Sequence, residues 1–185
     1  MTKRVLVPLA QGCEELEAVT LIDLFVRAGL DVVTAALDSE HMIRCSRGVV
    51  IQAQTDLSHL TGQTFDLIAL PGGMPGADHL EQDQRVLKLV RDTVENGGIT
   101  AAICAAPKVL KAAGMLDGLK ATSYPGFLDK SPAMGMTYLS DPVVDSGSIV
   151  TSRGPGTAMD FALHLIERLQ GVETRQQVEA ALVRP

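Results

Sequence analysis

A chain of 185 residues, 46% of them hydrophobic, is long enough to build one domain with a real core. Aromatics are only 3% and tryptophan is absent, so that core must be made of Val, Leu, Ile, Ala and Met, as suits a sheet covered by helices. A net charge of −6 without a long run of like charge excludes nucleic-acid binding driven by a basic surface.

Val5–Ala10 is a continuous apolar run and reads as a buried first strand, with Pro8 a sign that pairing stops there. It is too short for a signal sequence or a membrane helix, so the cytoplasm is the expected compartment. After Gly12, residues 14–29 read as a helix with Ala18, Ile22 and Phe25 on one face and Gly29 as its stop. Val32–Leu37 is a second strand and completes a βαβ unit. Ile43–Cys45 and Val49–Ile51 flank Ser46-Arg47-Gly48 and read as a small antiparallel excursion.

Phe65–Leu70 is another buried strand and runs into Pro71-Gly72-Gly73. Residues 84–96 have the spacing of an amphipathic helix. Ile99–Ile103 is a strand, and Ala105–Ala113 a helix that tolerates Pro107 in its first turn. Residues 121–145 carry Gly, Pro and Ser and read as irregular. Ser148–Ser152 is a strand, followed by helices over 157–169 and 173–182. This alternation predicts one domain over 1–185, an open, mostly parallel α/β sheet with helices on both faces. Ligands on such sheets bind beyond the carboxyl ends of the strands. Those ends are Ala10–Gly12, Pro71–Gly73, Cys104 and Ser152–Gly154.

Cys104 stands where an apolar strand turns directly into a helix, followed by small Ala105 and Ala106. This resembles a nucleophile elbow without the G-x-S-x-G pattern. A thiol at a helix N-terminus feels positive partial charge, so a depressed pKa is expected, and backbone N–H groups there can hold an oxyanion. A buried cysteine acting as a small hydrophobe fits the local pattern equally well. Gly72-Gly73 lets the backbone approach a ligand, although a lone Gly-Gly is more often a plain turn.

Glu14, Glu15 and Glu17 at a helix start are favoured by the macrodipole alone; the sharper reading turns one of them inward as acid or base. Glu17, one turn before Leu21, has the more buried surroundings. His41, His59, His79 and His164 sit in no motif, and Cys13, Cys45 and Cys104 form no C-x-x-C pair or zinc spacing. Arg27 and Arg47 are candidate cations at a site mouth, against the default of solvated surface charge. Tyr124-Pro125-Gly126 and Ser152–Thr157, which includes Pro155, are turn-forming segments.

Five segments occur in order: Glu14-Glu15-Leu16-Glu17-Ala18, Cys45-Ser46-Arg47, Leu70-Pro71-Gly72-Gly73, Ala101–Pro107 around Cys104, and Thr151–Thr157. Together they resemble the ThiJ/PfpI superfamily, in the branch of the parkinsonism-associated deglycase and bacterial YajL-type proteins. The resemblance spans nearly the whole chain. It implies a flavodoxin-like, doubly wound sandwich related to class I glutamine amidotransferases, and a homodimer. It further implies Cys104 as elbow nucleophile, Glu17 hydrogen-bonded to it, and oxyanion amides at Gly73 and Ala105. A pocket is implied around Gly72, Glu14, Arg27, Arg47, Tyr124 and Pro155.

The activities implied are cofactor-free conversion of methylglyoxal to lactate and deglycation of protein side chains, so the partners are a small aldehyde or a glycated protein, with no metal. Redox sensing through cysteine sulfinate and chaperone action are the alternative. The chain departs from the family at Tyr124, where the human member has histidine, and at Gln52, where it has a peripheral cysteine. A phenol titrates near ~10 and is a poor base at neutrality, so acid–base work falls on Glu17 or water. Ala105 replaces the histidine of the peptidase branch, which argues against a peptidase. An amidotransferase-like hydrolase wants a Cys-His-acid set, and no histidine stands in that motif.

Overall fold

The structure, a computed structural model, describes residues 2–184. In chain order it runs β1 (Arg4–Leu9), α1 (Glu15–Arg27), β2 (Asp31–Ala36), β3 (Met42–Arg44), β4 (Val50–Gln52), β5 (Thr55–Asp56) and β6 (Leu67–Leu70). Next come α2 (Gly76–Gln82), α3 (Gln84–Glu95), β7 (Ile99–Ile103), α4 (Pro107–Ala112), β8 (Lys120–Ala121) and β9 (Thr137–Tyr138). β10 (Val143–Asp145), β11 (Ile149–Ser152), α5 (Ala158–Gln170) and α6 (Val172–Ala181) complete it.

Seven strands form one sheet in the order β10-β11-β7-β6-β1-β2-β5, parallel except for the edge strand β10. The chain steps from β1 outward to β2 on one side and later returns to β6 on the other. That reversal opens a crevice at the carboxyl ends of β1 and β6. The expected flavodoxin-like sandwich is therefore present. β1, β6, β7 and β11 are buried along almost their whole length, which is why they read as unbroken apolar runs rather than as alternation.

Pro8 acts on one side only. β1 pairs with β2 through Leu9, with Pro8 opposite Ala35, but with β6 only at Val5 and Leu6. Proline brings no N–H to a ladder, so the β6 side ends early while the β2 side continues.

One face of the sheet is covered by α1, α5 and α6 around the fully buried Phe25 and Phe161. Each such ring contributes about 2–3 kcal/mol by leaving water. The other face carries Leu80, Val86, Val90, Val109 and Leu110 from α2, α3 and α4. Along α1 the buried stripe is Glu17, Leu21, Leu24 and Phe25, so a carboxylate occupies a core position.

The antiparallel pair β3–β4 is present as expected. Three features differ from the sequence pattern. α2 has only Gly76, Ala77 and Leu80 buried, too few for an amphipathic signature. The two-residue β5 and the edge strand β10, with one buried residue, are likewise too short for periodicity. The helix expected from Ala105 begins at Pro107, and residues 104–106 form turns instead. No helix among the described residues is long and apolar enough to cross a membrane.

Candidate active site

Four carboxyl-end loops converge where the crevice opens. β7 delivers Cys104, whose φ of +63° is in the left-handed region, unusual for a residue with a Cβ. Its backbone is held from both sides. Cys104 N–H donates to the Ser152 carbonyl at 3.0 Å, and Tyr124 N–H donates to the Cys104 carbonyl at 2.8 Å. These bonds to the β11 end and the 122–126 loop offset a backbone cost on the order of 1–2 kcal/mol. Cys104 is 9% exposed.

The β6 end explains both glycines by close approach. A Cβ on Gly72 would stand 2.7 Å from the Cys104 Cβ, and one on Gly73 would stand 2.3 Å from the Glu14 nitrogen. Gly73 also has a φ of +87°. Only glycine lets the 72–73 backbone lie between α1 and the Cys104 turn. As a result the N–H groups of Gly73 and Ala105 both reach the sulfur and favour its anion.

Glu17 reaches the same place from α1 and is fully buried. Its Oε2 accepts a hydrogen bond from Gly72 N–H at 2.8 Å. Its Oε1 is buried without a partner of ordinary hydrogen-bond geometry. Carboxyl and Cys104 thiol nevertheless interact closely enough that each shifts the other's titration. Burial pushes Glu17 up to about 7, opposed by Gly72 N–H and the thiol and reinforced by Glu14. With Oε2 taken by Gly72, Oε1 is the oxygen free to carry a proton.

The expected depression of the Cys104 pKa is not found. Burial raises it, and the charge of Glu17 raises it further; Gly73 and Ala105 N–H lower it by less. The helix-terminus argument fails because α4 starts three residues after the sulfur, whereas a buried carboxylate touches it. Burial first, and the Glu17 charge second, therefore hold Cys104 in its thiol form.

In front of the sulfur lies a hollow of about 270 Å³ lined by Glu14, Ser46, Arg47, Gly73, Met74, Cys104, Ala105, Tyr124, Phe127 and Pro155. Of the residues expected there, Glu14, Arg47, Tyr124 and Pro155 line it, while Gly72 and Glu17 lie behind the sulfur. Glu14 and Glu15 clasp the β3–β4 turn. Ser46 Oγ lies 2.8 Å from Glu14 Oε2, and Arg47 N–H donates to Glu15 Oε1 at 2.9 Å. Tyr124, 48% exposed, lies against Gly154, where a Cβ would come within 3.1 Å of its ring.

Arg27 does not join this hollow. It ends α1, pairs with Asp23 at 2.6 Å, and lines a separate, larger groove of about 1030 Å³ with Lys3 and Gln170. No cysteine lines that groove. None of the four histidines lines the Cys104 hollow. Met74 and Phe127 are lining residues that nothing in the sequence marked, since each simply follows a turn that folds back over the sulfur. Among the described residues no cluster of three or more His, Cys, Asp or Glu could hold a metal ion.

A family model described as "DJ-1/PfpI family" matches residues 3–168. The Arabidopsis thaliana "Protein DJ-1 homolog A" is 42% identical over 183 residues, covering 98% of this chain and 47% of that protein. The chain thus spans about half the length of that relative. The Caenorhabditis elegans "Glutathione-independent glyoxalase DJR-1.2" is 38% identical over 163 residues, covering 88% of this chain and 86% of that protein. The crystal structure of Drosophila melanogaster DJ-1beta superposes with a TM-score of 0.94 at 38% identity, covering 100% of both chains.

Proposed function

The chain belongs to the DJ-1/PfpI family, and from that premise we propose that it is a cysteine-dependent, cofactor-free glyoxalase of the deglycase type, acting on methylglyoxal or on early glycation adducts. The observation that carries this reading is the ring of groups around one sulfur: a carboxyl titrating at about 7 and two converging N–H groups. The similarity to a C. elegans glutathione-independent glyoxalase supports the same substrate class.

The thiol of Cys104 adds to the aldehyde carbon while Glu17 carries its proton to the aldehyde oxygen, giving a hemithioacetal. Gly73 and Ala105 N–H stabilise the charge that develops on that oxygen. Glu17 then removes the hydrogen from the same carbon and returns it to the neighbouring carbonyl carbon, whose oxygen gains the hydroxyl proton. The product is a thioester of lactate. Water cleaves the C–S bond, restores the thiol and releases lactate. Methylglyoxal plus water becomes lactic acid, and no external electron donor is needed. A proton carrier working in both directions is most effective with a pKa near the working pH, as burial makes Glu17. Arg47 at the rim supplies a positive charge toward an oxygen-rich substrate.

The test is incubation with methylglyoxal in glutathione-free, amine-free buffer. Lactate is expected to form in step with aldehyde loss, and consumption without lactate rules the mechanism out.

A second reading, a redox sensor or chaperone, is favoured by the unpartnered Glu17 Oε1 beside the sulfur. A proton there donates to a sulfinate oxygen and stabilises that oxidised state. Mild peroxide is then expected to add two oxygen atoms to Cys104 while sparing Cys13 and Cys45, read by intact mass and peptide mapping. Absence of selective oxidation removes this reading.

The homodimer is proposed on an apolar surface. Leu16, Val19 and Val26 on α1 and Met42, Val49 and Val50 on the β3–β4 hairpin are exposed. Glu15 ties the hairpin turn to the start of α1, which brings these two exposed apolar segments next to each other.

A further inference from the structure

Cys13 and Cys45 are separated in sequence, yet their sulfurs lie 3.6 Å apart, and both are free and buried. Their backbones are bound on either side of the pair. Gly12 N–H donates to the Arg44 carbonyl and Ser46 N–H to the Cys13 carbonyl, each at 2.8 Å. The 72–76 loop closes the other side, where a Cβ on Gly76 would lie 2.7 Å from the Cys13 Cα. The two thiols are therefore held in contact by backbone that has no room to separate.

Each cysteine directly precedes a residue of the hollow in front of Cys104. Cys13 leads into Glu14, Cys45 leads into Ser46, and those two are hydrogen-bonded. One wall of the hollow is thus built on the two thiols. We propose that Cys13 and Cys45 are a redox pair, oxidised by peroxides to a disulfide that locks this wall in place.

The chemistry balances without a cofactor. Cys45, 4% exposed against 0% for Cys13, is the sulfur that attacks the O–O bond. It becomes a sulfenic acid and one water leaves. The Cys13 sulfur then displaces the hydroxyl, an S–S bond forms, and a second water carries away the last proton. Peroxide gains two electrons and the protein loses two hydrogens. Closing from 3.6 Å to a bond of ~2.05 Å moves the sulfurs by about 1.5 Å in total, a side-chain rotation. Burial and the nearby carboxylates disfavour both thiolates, so the pair responds to sustained peroxide rather than a brief pulse.

The experiment uses the full chain carrying Cys104→Ser, so that the pair holds the remaining thiols. After hours in peroxide under native conditions, free thiols are alkylated and the protein is digested without reductant. The expected result is a linked peptide containing Cys13 and Cys45, lighter by two hydrogens and released by dithiothreitol. Tm should rise by roughly 5–10 °C on oxidation. In Cys13→Ser the link is absent and Cys45 accumulates oxygen instead. Recovery of both cysteines alkylated, or a link that forms only after denaturation, overturns the proposal. Should the Cys104→Ser protein fail to fold, the same peptide map on the unsubstituted chain decides it, because Cys104 falls on a separate peptide.

Discussion

Replacing Cys104 with serine is expected to lower lactate formation from methylglyoxal by at least ~10³-fold, since the covalent route loses its nucleophile. A hydroxyl in the same turn adds to aldehydes far more weakly, and a serine ester would release product slowly. Folding should be nearly unaffected. The residue keeps the same positive φ cost, the same Ser152 and Tyr124 backbone bonds, and almost the same volume. Paired measurements of lactate yield and Tm separate loss of chemistry from loss of structure. Substantial turnover in a folded Cys104→Ser protein would exclude the covalent mechanism.

Glu17→Gln is expected to divide activity and stability. Turnover should fall by ~10²–10⁴-fold, because an amide cannot carry the proton between the two carbons. Stability should move the other way above neutrality. Glu17 has its pKa raised by burial from 4.5 to about 7, so folding favours its protonated form. Below pH 4.5 the group is neutral in both folded and unfolded chains and imposes no penalty. As pH rises from 4.5 to about 7 the unfolded chain releases this proton while the folded chain keeps it, so stability falls by as much as ~3 kcal/mol, the loss being complete once pH has passed through the folded value near 7.

Glutamine keeps an acceptor for Gly72 N–H and carries no charge at any pH. Urea denaturation should therefore find the two proteins within ~0.5 kcal/mol at pH 4.5, with the variant clearly more stable at pH 8.5. Equal pH slopes would mean that Glu17 titrates normally, and the proton-carrier role would then fail.

The strands and the Cys104 turn were legible because their causes are local in the chain, whereas Gly72-Gly73 read by itself as a plain turn and gained weight only from its place beside Cys104 in a parallel sheet. An unbroken apolar run such as Leu67–Leu70 states burial on both faces, and Cys104 between a strand and two alanines states a tight turn. The spacing of Glu17 to Leu21 hinted at an inward side but could not choose among the three glutamates; the resemblance singled Glu17 out. The motifs in their order also carried the family resemblance.

Tertiary structure alone decided the electrostatics and the meetings across the chain. Glu17 and Cys104 titrate far from their ordinary values because the sheet, α1 and the 72–73 backbone exclude water from both. No spacing rule measures that exclusion. Arg27 pointed to the pocket by resemblance but lies in another groove of the chain, and Cys13 met Cys45 without any sequence signal. Periodicity reports how a segment faces the core; which side chains then touch, and how much solvent they keep, is set by packing between segments distant in the chain.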